Sequence, residues 1–199
     1  GLLISGSNLL KVDAFIPVLF GAVCDVMRAR GYHVLIETRP EGTGANPYRD
    51  LVQSQRIDGL LILNGPSHDP YLIELIESGF PAVLLGNVRH PKSHSVHIRG
   101  RPALMAAVDR LVAAGHRHFG VVTLSPLGLE AADRRVQAVA DALAAHGLTL
   151  EPQAIQSGNF SAESGQAAMR RLLAEAPETT AVFAGNDTVA LGVLGACGE

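Results

Sequence analysis

The chain has 199 residues, 47% of them hydrophobic and 18% charged, with a formal net charge of -3. That is length for one large domain or two modest ones with real cores, and too apolar for a disordered chain. The absence of a basic block excludes phosphate neutralisation as its way of meeting a partner, and no apolar run approaches membrane-spanning length.

Gly1 to Ser5 reads as a first strand, and Gly6 to Asp13 as a polar loop. A helix is predicted from Phe15 to Arg30, with Phe15, Val18, Leu19, Ala22, Val26 and Met27 along its inward stripe and Gly31 ending it. Tyr32 to Glu37 is a second strand, 38–47 a loop and Tyr48 to Gln55 a short helix. A buried strand at 59–63, a helix at 71–78 and a strand at 81–86 follow. Further on come a short strand at 95–98 and a helix at 102–114, with Pro102 in its first turn. Phe119 to Thr123 is a strand, 129–146 a helix and 154–157 a weak strand. The next helix opens at Ser161 and runs to Glu175. Cys24 and Cys197 both lie in apolar helical contexts and read as small buried hydrophobes, not as a disulfide.

The last stretch, Ala181 to Gly192, organises the rest. A short apolar run breaks at Gly185-Asn186-Asp187 and resumes at helical spacing. A parallel strand thus delivers Asn186 and Asp187 to its carboxyl end, the edge where open α/β sheets bind ligands. Asn186 brings an amide donor and acceptor, and Asp187 a carboxylate; either could equally serve as a helix cap.

Strands alternate with helices throughout, which means α/β architecture with parallel sheets. The alternation restarts near His116. The reading therefore has two α/β lobes, 1–115 and 116–199, the second with only three strands.

Enzyme chemistry finds little footing. Gly42-Thr43-Gly44 lacks a third glycine and a following long helix, so it is no dinucleotide loop. Ser67, His68 and Asp69 are consecutive and cannot converge as a relay, and no Gly-x-Ser-x-Gly elbow exists. His90, His94 and His97 are the only plausible metal cluster; without nearby acidic support they read as solvated loop histidines. No catalytic residue, metal or cofactor is therefore assigned.

Four blocks then carry a family resemblance. Gly115-His116-Arg117-His118-Phe119 resembles the Gly-His-Arg-x-Ile segment of the LacI/GalR family of bacterial transcription regulators. Phe183-Ala184-Gly185-Asn186-Asp187 with Ala190-Leu191-Gly192 resembles its Ala-Asn-Asp-x-x-Ala-x-Gly, and Arg56-Ile57-Asp58-Gly59-Leu60 its Arg-x-Asp-Gly-Ile. Gly158-Asn159-Phe160 with Ser164-Gly165 resembles Gly-x-Phe-x-x-x-Ser-Gly. The blocks come in family order along nearly the whole chain.

The resemblance implies a two-lobed periplasmic-binding-protein-like fold that closes on a small, often sugar-like effector, with the C-terminal part missing. It also implies a cytoplasmic repressor, a homodimer that meets operator DNA through a helix-turn-helix domain absent from this chain. Residue by residue, Asp13 and Phe15 match a cleft-lining Asn/Asp-Pro-Phe-Phe motif, with Ala14 in place of proline. Arg135 falls at a ligand-clamping arginine, although the glycine expected three residues later is Ala138. Phe160, Asn186 and Asp187 come from the matched blocks. Arg99 stands where the family places an acid, so Arg99 and Arg135 together would bias the cleft towards an acidic or phosphorylated sugar, unless Arg99 points to solvent and the effector is neutral. Leu72, Ile73, Leu75 and Ile76 are candidate dimer contacts or plain core. A solute-binding protein of a sugar transporter shares this fold and is the alternative.

Overall fold

The computed structural model describes residues 1–5, 14–39, 46–63, 65–66, 68–86, 88 and 90–198. It divides into two compact units, Gly1–Ile98 and Arg99–Glu199.

The first unit contains β1 (Leu2–Ser5), α1 (Phe15–Ala29), β2 (Ile36–Arg39), α2 (Pro47–Gln53), β3 (Leu60–Leu63), α3 (Pro70–Glu77), β4 (Ala82–Leu85) and β5 (His94–Val96). Its strands form one parallel sheet in the order β2-β1-β3-β4-β5. Leu3, Leu60, Ile62 and Leu84 from the strands pack with Leu51 of α2 and Leu72, Leu75 and Ile76 of α3. Burial of each such side chain contributes roughly 1.5–3 kcal/mol. Asn46 and Asp69 cap α2 and α3, each accepting from two backbone N–H groups, and each is followed by a proline at the first helical position.

The second unit contains α4 (Arg101–Ala113), β6 (Phe119–Thr123), α5 (Glu130–Ala144), a 3-10 turn (Pro152–Ala154), β7 (Ile155–Ser157), α6 (Ala162–Glu175), β8 (Ala181–Ala184) and α7 (Asp187–Cys197). Its three strands are parallel, in the order β7-β6-β8. Every residue of β6 is buried, as a central strand covered on both faces requires. Phe119 and Val121 pack with Val108 of α4 and Val139 and Leu143 of α5. Val122 turns the other way, to Met169 and Leu172 of α6 and Val189 and Val193 of α7.

Several expectations are corrected. The division falls between Ile98 and Arg99, not at 115/116: Val108 is fully buried in the second core, so α4 is part of the second unit. The inward stripe of α1 also differs. Ile16 is its buried residue and Leu19, Phe20, Val23, Cys24 and Met27 are half-buried, whereas Phe15, Val18, Ala22 and Val26 face out. A helix apolar nearly all round has no unique phase in its sequence. β2 starts at Ile36, later than Tyr32, because pairing in register with β1 selects Ile36–Arg39. Cys197 is exposed, since Ala196 takes the inward place in the last turn of α7; Cys24 is half-buried, and both are free thiols.

The Gly-His-Arg block has a structural job. The Arg117 guanidinium donates to the carbonyls of Val112 and His116, closing the carboxyl end of α4, and His116 Nδ1 lies 2.9 Å from Thr180 Oγ1. These contacts lock the entry to β6.

Candidate functional site

In each sheet the chain leaves the first strand to one side and later returns to the other. The reversal lies between β1 and β3 in the first unit, and between β6 and β8 in the second. The crevice beyond the carboxyl ends of such a strand pair is the ligand position of open α/β sheets.

In the second unit that edge is drawn tight by backbone bonds. Gly185 N–H donates to Val122 O at 2.8 Å, Phe160 N–H to Leu124 O at 2.7 Å and Gly158 N–H to Thr123 O at 3.1 Å. A Cβ at Gly185 would run into the backbone nitrogen of Leu124, so the turn that presents Asn186 has room only for glycine. Asn186 is the N-cap of α7. Its Oδ1 accepts from Val189 N–H at 2.8 Å, which leaves the Nδ2 amine without a partner among the described residues. Asp187 follows, exposed in the first turn, where a carboxylate is favoured by the helix dipole. The capping role and the edge position thus coexist in one side chain.

Phe160 lies on the same edge, buried to 3% exposure and held at φ 60°, a left-handed conformation uncommon for a bulky residue. Arg135 sits on α5, whose start follows directly from the β6 edge, and its Nη1 donates to Ala131 O at 2.9 Å. The second unit therefore gathers Phe160, Asn186 and Asp187 at one edge, with Arg135 on the helix that leaves it.

Arg99 is exposed, immediately before α4. Arg101, two residues on, pairs at 2.6 Å with Asp141, which lies eleven residues and about three turns along α5 from its start. Hydrogen bonds from Gln137 and Arg101 hold the Asp141 carboxyl below its usual range. Phe15 opens α1 in the first unit, 56% exposed. Asp13 lies outside the described residues. The histidines considered for a metal are apart in their contacts: His90 faces Glu77 at 3.8 Å, while His94 and His97 are exposed. Leu72, Leu75 and Ile76, the candidate dimer contacts, are buried in the first core; only Ile73 is half-buried.

One cluster escaped the sequence reading. The Asp69 carboxylate, its side chain 2% exposed, receives the Tyr48 hydroxyl at 2.8 Å and Arg39 Nη1 at 2.8 Å on Oδ2, and the Tyr71 and Leu72 N–H groups on Oδ1. Burial first, and then the hydrogen bond to Asp69, raise the Tyr48 pKa above the ordinary tyrosine value. The available signal was Asp69-Pro70, a cap followed by a first-turn proline.

A family model described as periplasmic binding proteins and sugar binding domain of LacI family matches residues 26–198. The chain is 32% identical over 186 residues to the HTH-type transcriptional repressor CytR of Escherichia coli, covering 92% of this chain and 54% of that protein. The chain belongs to the LacI family. It is also 31% identical over 184 residues to the HTH-type transcriptional regulator CelR of Thermobifida fusca, covering 89% of this chain and 54% of CelR. Among solved structures, a transcriptional regulator CelR–cellobiose complex matches with a TM-score of 0.81 at 29% identity, covering 98% of this chain and 61% of that one. This LacI-family chain thus spans about half the length of the curated relatives it matches. Among the described residues, no helix is long and apolar enough to cross a membrane.

Proposed function

We propose that this chain is the effector-sensing part of a transcriptional repressor, and that the carboxyl edges of its sheets take a small sugar-like molecule. The observation that carries this is the convergence of Phe160, Asn186 and Asp187 at the switch point of β6 and β8, in a chain whose relatives are DNA-binding regulators. Arg135, Phe15 and Asp13 complete the proposed contact set. A solute-binding protein of a sugar transporter is the weaker reading, since CytR and CelR are both regulators. They also support a non-enzymatic role and a cytoplasmic location.

Arg99 is exposed, which supports the alternative that it points to solvent and leaves Arg135 as the proposed cationic contact. That favours a neutral sugar over an acidic one. The full-length protein would bind operator DNA through a helix-turn-helix domain and work as a homodimer. The outward stripe of α1, with Val18, Ala22 and Val26 spaced by four residues, supports an isologous contact with a second copy. Lobe closure on the effector would shift a population of conformers and so the spacing of the DNA-binding heads.

Calorimetric titration of the full-length protein with matched neutral and acidic sugars tests the reading. Saturable binding of a neutral sugar, unchanged in Arg99→Ala and weakened in Arg135→Ala, supports it. Selective binding of the anionic partner, lost in Arg99→Ala, overturns the neutral-effector assignment.

A further inference from the structure

Arg39 is the last residue of β2 and stands in register with Ser5, the last residue of β1. Asp69 belongs to the segment after β3, the strand on the other side of β1. The Arg39–Asp69 pair therefore joins the end of β2 to the start of α3, the helix that follows β3. The carboxyl end of β1 borders the first sheet's switch point, between β1 and β3, where a ligand is expected.

The Asp69 oxygens have neutral donors besides Arg39, which supplies the countercharge. They accept two α3 N–H groups and the Tyr48 hydroxyl. The Tyr48–Asp69 bond ties α2 to α3 and serves the core; the Arg39 bond adds the tie to β2. A buried carboxylate with three other donors holds a guanidinium in place at little cost in reorganisation.

We propose that Arg39 is a positioning residue for effector binding: anchored by Asp69, it fixes the end of β2 relative to the start of α3 and so the shape of the first unit's effector edge. This rests on the reading of the chain as a sugar-effector domain. Arg39 is not assigned a contact with the effector; it acts through the segments it joins.

The test is calorimetry on the full-length protein with cellobiose, sucrose and ribose as probes, well below the melting temperature, for wild type, Arg39→Gln, Arg39→Lys and Tyr48→Phe, with a thermal melt of each. Arg39→Gln leaves the buried Asp69 charge without its cation and is expected to melt below wild type and, at a temperature where it is folded, to bind the best probe about tenfold more weakly. Arg39→Lys, which can replace the single Nη1 bond, is expected to recover most of that affinity. Tyr48→Phe is expected to lower the melting temperature and leave affinity unchanged, because it loosens core packing without releasing β2. Equal affinity in wild type and Arg39→Gln overturns the positioning role, whatever the melts show. A wild type that binds none of the probes overturns the sugar reading on which the role rests.

Discussion

Gly192 of α7 lies so close to Ala162 of α6 that a Cβ on it would run into the Ala162 carbonyl oxygen. Gly165 meets the Val189 carbonyl oxygen in the same way from the opposite helix. Two backbones in contact leave no flexible side chain to give way. The glycines in the Ser164-Gly165 and Ala190-Leu191-Gly192 blocks are thus packing residues, and they set the height at which α7 presents Asn186. Gly192→Ala is expected to cost at least about 2 kcal/mol, the range of overpacked cores, although alanine is the better helix former. Urea unfolding of the variant measures it; a stability equal to wild type would contradict the close approach.

Tyr48 makes stability depend on pH at the alkaline end. Its pKa is raised in the folded state by burial and the hydrogen bond to Asp69. The neutral phenol is therefore favoured on folding. Its contribution is fully present below the ordinary tyrosine value of about 10, and is lost as pH rises from there through the folded-state value. Tyr48→Phe is expected to cost about 1.5–3 kcal/mol at neutral pH, the worth of a hydrogen bond to a charged group. The same variant should remove this part of the alkaline loss. Parallel unfolding curves of both proteins above about pH 10 would show the dependence to lie elsewhere.

Asn186 commits one of its two polar atoms to the fold. Oδ1 is engaged with Val189 N–H, so only the Nδ2 donors are available to an effector. Asn186→Asp keeps a capping oxygen, in a place where the helix dipole favours a carboxylate, and deletes the donors. It is expected to melt at or above the wild-type temperature while sugar affinity falls about tenfold or more. Unchanged affinity by calorimetry would mean that Asn186 works through its carbonyl or not at all.

Val18, 72% exposed on the outward α1 stripe, is the place to break the proposed dimer. Val18→Asp removes apolar contact area and sets two like charges near the two-fold axis. Sedimentation of full-length wild type as a dimer at micromolar concentration, and of the variant as monomer, is expected. A wild type that sediments as monomer would rule the interface out.

The strongest features of the fold were legible because they are locally encoded. The run Phe119 to Thr123 could only be a central strand, and Asn186 with Asp187 could only stand where a strand hands over to a helix. The features that escaped depend on partners distant in sequence. The phase of α1 is not written in its own residues, which are apolar on most sides. Similarly, α4 is claimed by the second unit through Val108, which no local signal reveals. Leu72, Leu75 and Ile76 looked abundant enough for an interface, yet all three go into one core. The cluster of Arg39, Tyr48 and Asp69 joins residues up to 30 positions apart, and only the capping half of it shows in sequence.

Effector control of operator binding is most directly tested by fluorescence anisotropy. The full-length protein would be titrated onto its operator at fixed salt, with and without the sugar that calorimetry identifies. Operator affinity is expected to change by a factor of about 5–150, the usual span of allosteric coupling, and the change should vanish in Asn186→Asp. The same operator affinity with and without a saturating, tightly bound sugar would contradict it.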